Sequence, residues 1–225
     1  MTFKQFDFIA QIQIGFYIVA TVFSFVRFHH REAYIKLIGL YCAASAVADL
    51  SSLLFYFLKL NHVVSINVNY AASVFHILAL PLLSMVYYIT LGKSQKKQLV
   101  SITVIYSLVG ITNLLFIQKE TINSYTLILQ SIIIIGYCVY YFYWLIKELP
   151  TMYLHRLPMF WINSAFMVFY SGNLFLFVFT SYLVHVLNNN LLVYWSLHNF
   201  LGMIKFSMII FALWTDLQNI KSHSL

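Results

Sequence analysis

Asp49 and Lys205 each interrupt a long apolar run, and an ionisable group set in such a run is costly unless it faces a partner or a water-filled cavity. Polar residues accompany them in stripes. In the last run Tyr194, His198, Gly202 and Lys205 follow an i, i+4, i+8, i+11 spacing, which places them on one face of a helix. The third run offers a comparable face of Asn69, Ser73 and His76, the second Ser45, Asp49 and Ser52, and the sixth Tyr170 and Asn173. With a rise of about 1.5 Å per residue, Asp49, His76 and His198 fall roughly 11–15 Å below the same end of their runs, and Lys205 roughly 20 Å below it. One buried polar layer can therefore hold them all, and the long Lys205 side chain can close the remaining gap to Asp49. The expected chemistry is an ion pair between spans two and seven inside a pocket for a small ligand or ion, lined by aromatics and a few convergent polar groups. The alternative is a hydrogen-bonded network that only fixes helix packing, with Ala43, Ala44, Ala46 and Ala48 permitting close approach.

His76 and His198 are candidate metal ligands across helices, with His62 and His185 nearer the surface. The spacing gives them little support: there is no HExxH, no His pair at i, i+4 within a span and no Cys/His cluster. The cofactor therefore stays unknown. An intramembrane metal-dependent hydrolase would be similar to the ceramidase and adiponectin-receptor superfamily, whose last helix carries HxxxH, but His198 is followed here by Gly202. Lys205 resembles in position the retinal-binding lysine of rhodopsins. Span three holds no carboxylate to serve as its counterion, so that role would pass to Asp49.

These residues need elements that hold them in lipid. Of 225 residues 62% are hydrophobic, 19% aromatic and 8% charged, against about a quarter charged in soluble domains. Apolar runs long enough to cross a hydrocarbon core occupy about 8–28, 34–59, 66–91, 98–118, 122–147, 158–185 and 191–215. Unbroken runs of that length satisfy their backbone as helices, not as barrel strands. The expected fold is all-α, a single seven-transmembrane-helix domain over 1–225 with no separate soluble core. Pro158 suits the first turn of span six, while Pro81 lies inside span three and should bend it. The start MTFKQFDFIA lacks a basic region followed by a short apolar run and a small-residue cleavage site, so the first helix is expected to be retained.

The net charge of +7 is spread between spans and forms no continuous basic face, which speaks against a nucleic-acid partner and for anchoring at anionic headgroups. Arg27, Arg31, Lys36, Lys93, Lys96, Lys97, Lys147, Arg156 and Lys221 share one side of the seven spans; Lys4, Lys59 and Lys119 take the other. Positive short loops stay cytoplasmic, so the N-terminus is expected outside and the C-terminus inside, in a bacterial inner membrane. Cys42 and Cys138 fall within spans and read as small core residues. Tyr87, Tyr88, Tyr140, Tyr141, Tyr143 and Trp144 lie toward span ends and read as interfacial belts.

FWINSAFMVFYSGNLFLFVFT at 160–180 and YWSLHNFLGMIKFSMIIFALW at 194–214 resemble segments of bacterial seven-transmembrane-helix proteins associated with sensor kinases. The resemblance implies a sensory membrane module that works with a separately encoded signalling protein. The expected function is thus a receptor-like protein binding a small molecule or ion at Asp49, Asn69, Ser73, His76, Tyr170, Asn173, Tyr194, His198 and Lys205. A small transporter using the Asp49 and Lys205 pair, an intramembrane hydrolase and a structural subunit of a membrane complex stay open beside it. The orientation has a direct check. A reporter fused after Leu225 should be active only on the cytoplasmic side, and activity outside would overturn the assignment.

Overall fold

The computed structural model describes residues 3–60, 70–91, 96–118, 123–148, 153–186 and 191–223, with side chains described at all of these but 3–7, 56, 57, 60, 180–186, 191–194 and 221–223. The chain is all-α. Its helices are α1 (Phe3–Phe25), α2 (Ala33–Leu60), α3 (Tyr70–Leu91), α4 (Lys96–Thr112), α5 (Ser124–Glu148), α6 (Pro158–Val186) and α7 (Leu191–His223). A π-helical turn, Asn113–Ile117, prolongs α4. All seven contain an apolar stretch long enough to span a membrane, from 18 residues in α1 to 26 in α7.

Neighbour relations close the helices into a ring. α1 packs on α2 and α7, α2 on α3, α3 on α5, α5 on α6 and α6 on α7. α4 stands outside that ring, against α3 and α5. The interior is filled by large side chains that are wholly enclosed, among them Tyr41, Leu80, Leu83, Phe166, Tyr170 and Phe206. Close approach of α1 and α2 depends on Gly39, where a Cβ would stand 2.9 Å from the Ser24 Cβ. Outward-facing positions such as Val19, Leu54, Leu78, Ile105 and Phe175 are exposed apolar groups, as lipid contact allows because acyl tails are as apolar as leucine.

Helix ends explain where the spans stop. α1 finishes at Phe25 because Arg27 turns to a left-handed φ of 53° and a tight turn over Phe28–His30 carries the chain across to α2. The last carbonyls of a helix have no partner within it, and Arg31 supplies one. Its Nε donates to the Val26 carbonyl at 2.9 Å and its Nη2 to the Phe23 carbonyl at 2.8 Å. The same guanidinium reaches α7, donating through Nη1 to Asp216 Oδ2 at 2.8 Å and to the Leu213 carbonyl at 3.4 Å. One residue, only 3% exposed, thus fastens the end of α1 to α7. At the start of α6, Pro158 occupies the first helical position, where its missing N–H costs nothing. α3 runs on through Pro81 to Leu91.

The aromatic belt needs correction. Tyr87 and Tyr141 are buried in the core, whereas Tyr140 and Tyr143 face outward. Helical geometry separates neighbours such as Tyr140 and Tyr141 onto different faces, so a cluster near a span end cannot belong wholly to the interface.

Breaking the Arg31 and Asp216 pair should be severe, since a buried charge left without its partner costs about 3–5 kcal/mol. Arg31→Met should lower the unfolding temperature of the detergent-purified protein markedly. Lys36→Met removes a half-buried cation with no ion partner among the described residues, whose Nζ lies 3.4 Å from the His29 carbonyl, and should change it little. Equal unfolding temperatures for the two variants would refute the clamp.

Candidate functional site

Lys205 sits on α7 with 4% of its surface exposed. Its Nζ donates to Tyr41 Oη at 3.2 Å and lies 3.8 Å from the centre of the Phe169 ring, 4.5 Å from that of Phe206 and 5.5 Å from that of Tyr41. Ring faces attract a cation electrostatically, by about 2 kcal/mol or more where water is excluded. α2, α6 and α7 thereby build an aromatic cage around one ammonium. A lysine ammonium has three donors, and Tyr41 is its one hydrogen-bond partner among the described residues.

Asp49 does not close on Lys205. Among the described residues the one ion pair is Arg31 with Asp216, so the expected direct pair between spans two and seven is not formed. The Asp49 carboxylate instead lies near the Tyr17 hydroxyl on α1, and the Tyr17 oxygen is met by Gln13 Nε2. Tyr41 explains the difference. It lies two turns before Asp49 on α2, at the level of Lys205, and takes the ammonium before it can rise to the carboxylate. Asp49 remains within range of the Lys205 charge, and Tyr17 touches Phe206 with ring centres 4.1 Å apart.

The two histidines are fixed by amides. His76 Nδ1 on α3 lies 3.1 Å from Gln130 Oε1 on α5, and Gln130 Nε2 donates to Tyr170 Oη at 3.3 Å. The Tyr170 hydroxyl lies near that of Tyr41. A series of polar groups therefore leads from His76 through Gln130 and Tyr170 toward Tyr41 and Lys205, crossing α3, α5, α6, α2 and α7. His198 Nδ1 lies 2.7 Å from Asn173 Oδ1. The Asn173 amide nitrogen donates to the Phe169 carbonyl at 2.8 Å, which leaves its oxygen as acceptor and makes His198 Nδ1 the donor. The His198 ring packs against Phe169, Phe177 and Trp195. Asp49, His76 and His198 are half-buried, so Lys205 is the most enclosed of the four, and its charge acts on all three.

Of the residues proposed from the pattern, Asp49, His76, Tyr170, Asn173, His198 and Lys205 thus share one electrostatic neighbourhood, and Ser73 is buried on α3. Asn69, His62 and the side chains of Tyr194 and His185 lie outside the described residues. Among the described residues no three His, Cys, Asp or Glu side chains come together as metal ligands would. The residues overlooked are those that carry the connections: Gln13, Tyr17, Tyr41 and Gln130. Gln130 was the most visible of them, a lone amide in the apolar run LILQSIIIIG.

A second polar cluster lies nearer the Arg31 end of the bundle. Tyr87 Oη donates to Asn163 Oδ1 at 2.7 Å and lies 3.2 Å from Cys138 Sγ, while Asn163 Nδ2 donates to the Cys138 carbonyl at 3.2 Å. Its principal polar groups answer one another. It joins α3, α5 and α6 as packing.

Gly202 positions the Asp49 branch, because a Cβ there would overlap the Gln13 carboxamide and stand 3.1 Å from its Cδ. Gly202→Ala should displace the Gln13 amide from Tyr17 and cost about 1 kcal/mol, the worth of that hydrogen bond. At Gly136 an added methyl would meet nothing within 4 Å, so Gly136→Ala should leave stability unchanged or raise it through helix propensity. Thermal unfolding of both variants in detergent measures the contrast, and a Gly202→Ala protein as stable as Gly136→Ala would refute the close contact.

No family model, no curated protein and no solved structure matches the chain.

Proposed function

We propose that this polytopic membrane protein is receptor-like: it holds a small anionic molecule at Lys205 and passes its presence to a separately encoded partner at the Arg31 end of the bundle. The observation that carries the reading is the buried ammonium itself, which meets ring faces and one hydroxyl while its carboxylate counterpart binds elsewhere. A cation enclosed without a carboxylate in contact is costly, and an anionic ligand would supply the missing acceptors. Asp49, His76 and His198, each half-buried around it, give such a ligand polar rim contacts.

The transmission path in this reading is α7. Lys205 and Asp216 lie eleven residues apart, three turns along one face and roughly 16 Å of rise. A ligand drawing on Lys205 would load the Arg31 and Asp216 pair at the other end, and a small helix shift of this kind is a common form of signalling transition. The distribution of Lys and Arg supports placing that end in the cytoplasm, with the N-terminus outside and the chain in a bacterial inner membrane.

The test is copurification. Native protein and Lys205→Met, extracted in mild detergent from the same membranes, are compared by mass spectrometry for small molecules and proteins that travel with them. An anionic small molecule should accompany the native protein and be absent from the variant. Identical small-molecule content in two folded preparations would overturn the reading.

A further inference from the structure

The Arg31 end of the bundle carries two adjoining clefts, separate from the Lys205 cage. The first, of about 400 Å3, is lined by His30, Glu32, Tyr34, Asp216 and Asn219. The second, of about 280 Å3, has Tyr141, Trp144 and Met159 on its wall. Glu32, Tyr34 and Pro158 line both, so the two form one furrow with a carboxylate end and an aromatic end.

The furrow contains unused capacity for a cation. Asp216 spends one oxygen on Arg31, which balances its charge. Glu32 has no ion partner among the described residues. The basic side chain one turn on, Lys36, would be its natural i, i+4 counterion, but its ammonium turns to the His29 carbonyl and the Phe28 ring. Tyr34, 8% exposed, shares the first cleft with Glu32 and Asp216 and the second with Tyr141, and its hydroxyl makes no hydrogen bond to a described residue. Its hydroxyl is not among the enclosed polar atoms that lack a partner, so it keeps access to open space. Because Tyr34 lines both clefts, that oxygen is available as an acceptor in the shared part of the furrow.

Carboxylates beside a free acceptor and an aromatic wall are the elements that recognise an organic ammonium or guanidinium group. We propose that this furrow binds such a cation on a short stem, with Glu32 as its counter-charge, the Tyr34 oxygen as acceptor, and Tyr141 and Trp144 packed against the stem. The surrounding face is basic, with Arg27, Arg31, Lys36, Lys147 and Arg156 near the same ends of the spans, so the acidic furrow selects by local charge against its own background. The cation can arrive as an arginine or lysine side chain of a polypeptide or as a free amine. The site stands independently of any ligand at Lys205.

Calorimetric titration of the full chain in nanodiscs at low ionic strength tests it, using α-N-acetylated arginamide, its neutral isostere α-N-acetylated citrullinamide and the peptide acetyl-Gly-Arg-Gly-amide. Arginamide should bind saturably and citrullinamide should not. Glu32→Gln should weaken arginamide binding roughly tenfold, the equivalent of one hydrogen bond to a charged group, and Tyr34→Phe by about threefold. Both substitutions keep the side-chain shape, and unchanged unfolding temperatures confirm folded variants. Tighter binding of the peptide than of arginamide would identify a polypeptide as the source, and equal binding a free amine. Absence of saturable arginamide binding, undiminished binding by Glu32→Gln or equal binding of citrullinamide would each overturn the proposal.

Discussion

A polar group inside a bilayer has no water to turn to, so each one must find its partner on a neighbouring helix. That constraint organises this bundle more than helix propensity or apolar packing does. Lipid tails offer the helices little hydrophobic reason to associate, and specific contacts decide which helix lies next to which. His76 joins α3 to α5, Gln130 joins α5 to α6, His198 joins α7 to α6, and Arg31 joins the end of α1 to α7. Together these bonds trace much of the ring. α4 stands outside it and is held at both ends: Lys96 lies over the Tyr88 ring of α3, Tyr106 donates to the His76 carbonyl, and Asn113 at the start of the π-helical turn meets Asn123 and Thr126.

Against that background Lys205 is the exception that gives the core its character. Most buried polar groups nearby have a neutral hydrogen-bond partner of matching capacity, whereas the ammonium has the rings of Phe169 and Phe206 and the phenol of Tyr41. Such a cage can hold a cation without neutralising it. The Asp49 carboxylate, near Tyr17, tempers the charge from a distance. Direct contact between them would have formed a closed pair with little left to offer. Their separation keeps the amine's remaining donors unspent.

The sequence made the class and the number of spans plain because long apolar runs have few physical solutions in lipid. Loop charge argued for an orientation by the same simplicity. The polar layer was legible at its charged members, since Asp49, His76, His198 and Lys205 are conspicuous in apolar surroundings. Its connections were not. Periodicity places a residue on a face of its own helix but says nothing about the depth at which two helices are offset, and that offset is why Lys205 meets Tyr41 two turns before it could reach Asp49. Tyrosine is also ambiguous in a chain with 17 of them: Tyr140 and Tyr141 are adjacent, yet one faces out and the other lies in the core. Arg31 was read only as a loop charge, because its role depends on α7 returning to the same place 185 residues later.

The two ends of α7 show how a chain with so few charges distributes them. Lys205 is enclosed at mid-span by aromatics, and Asp216 is enclosed near the helix end by an arginine that also completes α1. Each is held by a different helix pair, so neither can move without disturbing contacts that define the ring. A shift of α7 along its axis would lengthen the bond to Tyr41 and the bond to Arg31 together, whereas a tilt about one end would strain only the other. Since a packed interior resists continuous deformation, the two anchors together hold α7 in one axial register and one tilt. Arg31 makes the second anchor a joint one: its bonds to the Val26 and Phe23 carbonyls fix the guanidinium at the end of α1, and Nη1 ties that end to α7.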